Sequence, residues 1–92
     1  MQEIYIHPHA FKHGIVADEI EEAWVNFVAK SKREMPKDDR IVCVGFSKKH
    51  SRLIQMIAVE NQRGVMIFHA KTPPQASVLK ELGIERKRRF SK

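Results

Sequence analysis

The sequence predicts an α+β fold: an N-terminal helical segment, an antiparallel meander of three strands with room for a fourth, and a C-terminal helix. Two observations carry this. Residues 16–32 hold one apolar stripe at helical spacing, and residues 40–71 hold three runs rich in β-branched and aromatic side chains, separated by hairpin-length gaps. Helices set apart from an antiparallel sheet define the α+β class.

The helix is read from "VADEIEEAWVNFVAKSK". Ile20, Ala23, Trp24, Phe27 and Val28 recur at i, i+3, i+4, i+7 and i+8, so they share one helical face. Asp18, Glu19, Glu21 and Glu22 precede Lys30, Lys32 and Arg33, the order that a helix dipole favours. Gly14 is expected to end a short helical turn before it, because glycine tolerates the left-handed conformation found there. Pro36, Asp38 and Asp39 make "EMPKDDR" a turn. The strands are "RIVCVGFS", "RLIQMIAVE" and "GVMIFHAK", joined by "KKHS" and "NQRG". In "TPPQASVLKELGI" a helix can open at Pro74 and stop at Gly83.

Length and composition narrow the possibilities. With 92 residues, 42% apolar and 30% charged, the chain is expected to form one domain spanning 1–92. Its longest apolar run, residues 41–46, is far short of the roughly 20 residues a membrane helix needs, so no membrane partner is expected. No basic segment followed by an apolar one opens the chain, so no leader is expected. The single Cys43 lies in mid-strand, where burial would keep it inert, and a reducing cytoplasm is the expected compartment.

Lys and Arg number 17 against 11 Asp and Glu, a formal net charge of +6. Lys48, Lys49, Arg86, Lys87, Arg88 and Arg89 carry much of the excess, and they are the candidate nucleic-acid contacts. Strict alternation along the third strand puts Val65, Ile67, His69 and Lys71 on one face and Met66, Phe68 and Ala70 on the other. The all-apolar set is expected to face the helices. His69 and Lys71 are then left on an open face, where Arg40 and Arg52 could join them around a phosphate. Such a surface suits metal-free RNA cleavage, in which the ribose 2′-hydroxyl attacks its own phosphodiester. The protein then needs a proton acceptor, a proton donor and cations on the developing charge. The catalytic candidates are accordingly Lys71, His69, Arg40 and Arg52.

The other histidines are read differently. His9 and His13 stand at i, i+4, but no HExxH pattern or nearby cysteine completes a metal set, so neither metal nor cofactor is expected. His7 and His9 are expected to cap or pack at the head of the helical segment. The same basic face also suits a non-catalytic module that binds nucleic acid or an acidic protein.

At "HAFKHGI", "EIEEAW", "DRIVCVGF", "SRLIQMIAV" and "GVMIFHAK" the chain resembles the BrnT-like toxins of type II toxin–antitoxin modules, within the RelE/ParE group of small bacterial ribonuclease toxins. Lys12, His13 and Gly14 match the family's opening motif; Arg40, Val44 and Gly45 match its next strand, and His69 and Ala70 its last. The resemblance implies a RelE-like fold, RNA cleavage that blocks translation, and a cognate DNA-binding antitoxin as partner; oligomeric state is left open. Two departures stand out. Lys71 replaces the family's common Arg, and "TPPQAS" replaces an Arg-rich stretch.

Overall fold

A computed structural model describes residues 3–33 and 39–84. In chain order it holds β1 (Glu3–Ile6), a 3-10 turn (Pro8–Phe11), α1 (Ala17–Val25), β2 (Phe27–Lys32), β3 (Ile41–Ser47), β4 (Arg52–Asn61), β5 (Gly64–Lys71) and α2 (Ala76–Glu81). The strands form one five-stranded sheet in the order β1-β5-β4-β3-β2. The α+β class stands, and β3, β4 and β5 are the expected meander, each pair antiparallel. The sheet is larger than expected and mixed, because β1 adds to β5 in parallel and β2 adds to β3. Most of the turn expected in "EMPKDDR" lies outside the described residues.

The chief correction concerns residues 27–32, expected to continue the helix. The helix stops at Val25 with Asn26 as its cap, φ −95° and ψ 46°, whose N–H still bonds to Glu22 O at 2.8 Å. The chain then turns into β2, with Phe27 opposite Gly45, Ala29 opposite Val44 and Lys32 opposite Ile41. All five residues from Ile41 to Gly45 are buried, Val42, Cys43 and Val44 with no accessible surface, and their backbone groups need partners on both sides. Ladder bonds from β2 supply one side, and β-prone Phe27 and Val28 accept the strand geometry. Phe27 and Val28 are therefore half exposed rather than core. Lys30, expected to complement the helix end, instead lies over the Trp24 and Phe27 rings at 4.8 and 4.3 Å.

Alpha1 packs directly on the sheet because Gly45 has no side chain. A Cβ there would lie 1.7 Å from the backbone oxygen of Ala23. Ile15, Ile20, Ala23 and Trp24 meet Ile41, Cys43, Ile54, Met56, Ala58, Val65, Ile67 and Ala70 in the main core. On the other face Val78, Leu79, Leu82 and Ile84 cover Val42, Val44 and Leu53. Alpha2 starts two residues later than expected, with Gln75 as cap, and closes through Gly83 N–H to Lys80 O at 3.1 Å and Ile84 N–H to Leu79 O at 2.9 Å. Because α2 is short and lies over β3 and the start of β4, the β4–β5 half of that face stays uncovered.

Candidate active site

The site begins with a bulge. Ile57 pairs with His69 and Ala58 with Ile67, so Phe68 is an extra residue in β5. Strict alternation is broken there. Val65, Ile67 and Ala70 face α1, all buried, while His69 and Lys71 pair with Ile57 and Gln55 on the opposite, uncovered face. The expected core set of Met66, Phe68 and Ala70 is thus corrected: only Ala70 belongs to it. His69 and Lys71 do share the open face, through a bulge that alternation alone does not foresee.

The N-terminal segment arrives at the same place. Beta1 runs beside β5 as far as Ile6 opposite Ile67, and His7 N–H adds a last bond to Ile67 O at 2.8 Å. Pro8 then opens the 3-10 turn, His7 Nδ1 accepts from His9 N–H at 3.1 Å, and buried Ala10 anchors the turn in the core. His7 is therefore a cap, as expected. Gly14 takes φ +81° after the turn, the left-handed geometry expected of it. The turn carries His13 to His69, their rings 5.7 Å apart and edge-to-face at 77°.

The surroundings of His69 hold it neutral. Burial pushes its pKa below the ordinary histidine value, and the nearby His13, Lys71, His9 and Lys12 push the same way. Gln55, fully buried, places its Nε2 at 3.4 Å from His69 Nε2. Its Oε1 accepts from Gln75 N–H at 2.8 Å, and its Nε2 also donates to Gln75 Oε1 at 3.2 Å. With Oε1 taken, the amide turns a donor toward the ring, so His69 Nε2 accepts and the neutral ring carries its proton on Nδ1. Gln55 thereby links the residue that caps α2, β4 and the imidazole.

The remaining candidates are distributed over the molecule. Lys12 and Lys71 stand with the two histidines. Arg52 does not: it faces α1 and gives both Oε atoms of Glu19 a bond of 2.8 Å. Glu19 is 2% exposed, and a buried carboxylate needs a cation. Arg52 holds that carboxyl below the usual range, so Arg52 is corrected from phosphate clamp to partner of Glu19. Arg40 lies at the far end of β3: it precedes Ile41, which pairs with Ala58, whereas Lys71 pairs with Gln55. That is roughly 13 Å along the strands from Lys71 before the width of β4 is added, so Arg40 does not join the site. Its backbone oxygen accepts from Arg33 N–H at 2.8 Å.

Lys48 and Lys49 are exposed in the β3–β4 turn, at the same end of the sheet as Lys71. Arg86, Lys87, Arg88 and Arg89 lie outside the described residues. Cys43 has no accessible surface, and burial pushes its thiol up to about 12. Among the described residues no three His, Cys, Asp or Glu side chains are grouped to hold a metal ion, and no helix is long and apolar enough to cross a membrane.

Sequence reasoning missed the meeting of His13 with His69, 56 positions later, and the part of Gln55. A cue was available for each: "KHG" is the family-like motif, and a glutamine inside an apolar strand needs a buried partner. No protein family, curated protein or solved structure matches the chain.

Proposed function

We propose that the chain is a metal-independent endoribonuclease acting as the toxin of a type II toxin–antitoxin module, with a cognate antitoxin as partner. One observation supports it most. Two imidazoles from distant segments meet edge-to-face on an open sheet face, with two lysines close enough to act on one ring and that ring held neutral. Neutral His69 gives up its 3.4 Å contact with the Gln55 amide and accepts the proton of the ribose 2′-hydroxyl at Nε2, and the 2′-oxygen bonds to phosphorus. The 5′-oxygen leaves and takes a proton from His13 in its imidazolium form. The products are a 2′,3′-cyclic phosphate and a 5′-hydroxyl end. Lys12 and Lys71 offset the charge that builds on the phosphoryl oxygens. Exposed His13 has room to move aside as the phosphate enters between the rings.

The test is incubation with single-stranded RNA in EDTA, wild type beside His13→Ala, His69→Ala and Lys71→Ala. Cleavage with cyclic phosphate ends is expected, and loss of either imidazole should slow it about 100- to 10,000-fold. Unchanged rates in both histidine variants would sink the assignment. No cleavage by the wild type, with salt-sensitive RNA binding retained, would favour a binding module that uses the same face.

A further inference from the structure

A depression beside the two imidazoles is not used by this chemistry. It measures about 440 Å³ and is lined by Val59, Met66, Phe68, His7 and His9. Sites of this kind span roughly 300–1,000 Å³. Val59, Met66 and Phe68 are half-buried apolar side chains on a part of the sheet that α2 leaves uncovered. Val59 pairs with Met66 on the face that carries the Ile57–His69 pair. Two residues of β4 separate those pairs, about 7 Å along the sheet, which a single nucleotide can bridge. The bulge that turns His69 outward also brings Phe68 to the depression. On its rim the His7 and His9 rings stand 6.0 Å apart at 49°, and His9 is near enough to His69 to depress its pKa.

We propose that this depression is a nucleobase subsite of single-stranded RNA, in which the base of a nucleotide adjoining the reacting phosphate stacks between the Phe68 floor and the His7–His9 rim. The inference rests on the ribonuclease reading for its choice of RNA. Lys12 and Lys71, beside the two imidazoles, supply the complement to the phosphate, and the apolar floor supplies the complement to the base. Unstacked RNA bases are held in this way on aromatic and histidine rings. The floor offers apolar and π surface rather than a set of donors and acceptors, so purines and pyrimidines should both bind. Beta1 positions the rim, because its parallel pairing ends at Ile6 and leaves His7 to turn outward.

The experiment compares the dissociation constants of ribose 5-phosphate, uridine 3′-monophosphate and adenosine 3′-monophosphate, followed by NMR shifts at low salt. Both nucleotides should bind about 5- to 150-fold more tightly than the sugar phosphate, the range expected for one stacked base. Phe68→Ala and His9→Ala should each reduce that gain and leave ribose 5-phosphate unchanged, whereas Lys71→Ala should weaken all three probes alike. His9→Ala guards against a folding defect in Phe68→Ala, because the His9 side chain is exposed. Equal affinity for nucleotide and sugar phosphate, a gain that survives both variants, or no nucleotide binding would each overturn the subsite. Cleavage enters none of these measurements. A protein that fails to cut RNA yet shows the base-dependent gain keeps the subsite and loses the ribonuclease reading; one that cuts RNA without the gain does the reverse.

Discussion

His69 carries the strongest environmental signature of any residue in the candidate site. Partial burial disfavours its imidazolium, the Gln55 amide meets Nε2 with a donor, and His13, Lys71, His9 and Lys12 add positive charge around it. All of these act in one direction, toward the neutral ring. A titration followed by NMR should place the His69 midpoint below the ordinary value of about 6.5. His13→Ala and Lys71→Ala should each raise it, and neither alone should restore it, because burial is the largest cause. The sign carries into the rate. A base that stays unprotonated below its ordinary value keeps the acid limb of the cleavage profile below pH 6.5, and that limb should move up in Lys71→Ala. A His69 midpoint at or above the ordinary value would remove the case for it as the base. Residue types were legible in the sequence; their company was not. His69 and Lys71 were found from alternation. His13 enters the linear reading as half of an i, i+4 pair with His9 and as part of a family-like motif, since nothing in such a reading places a turn at residue 13 against a strand at residue 69.

At the scale of elements, the meander was legible because its three runs are apolar, β-branched and bounded by short polar gaps. The end of α1 was not. Ile20, Ala23, Trp24, Phe27 and Val28 keep a helical period, and only the need of β3 for a second neighbour draws residues 27–32 into the sheet. Beta1 is four residues long and adds in parallel, a pairing with no hairpin signal to announce it. Gly45 joins the two levels. It allows α1 to rest on β3 and leaves the opposite sheet face to the histidines. Gly45→Ala places a methyl group against the Ala23 carbonyl, which is backbone and cannot rotate away. The helix must lift, at a cost of about 1–3 kcal/mol or more. Urea unfolding should show this loss, and an unchanged midpoint would mean that α1 does not sit where the structure puts it. RNA cleavage measured below the unfolding transition should change less, because the His69 side of the sheet does not touch the helix.

For the whole molecule, charge is arranged by face. Exposed Asp18 and Glu21 and partly buried Glu22 lie on α1, on one side of the sheet, where Arg52 already neutralises buried Glu19, while Lys12 and Lys71 gather with the two imidazoles at its open side. A polyanion is therefore repelled from the helical face and drawn to the other. The net charge of +6 does not by itself say which face a polyanion would meet; this asymmetry favours the open one, and the composition could not reveal it. Each phosphate that the protein neutralises on a single strand contributes about −0.7 to the slope of log affinity against log salt. Lys12→Ala and Lys71→Ala should each make the slope of single-stranded RNA binding shallower by that amount. Lys32→Ala supplies the contrast. It lies on β2, three strand positions from β5, roughly 14 Å across the sheet, and beyond the screening length of about 8 Å at physiological salt. Its removal should lower affinity little and leave the slope unchanged. Equal changes in all three variants would mean that RNA meets a diffuse positive surface, and that the bulged, histidine-bearing edge of β5 has no special claim on the phosphate.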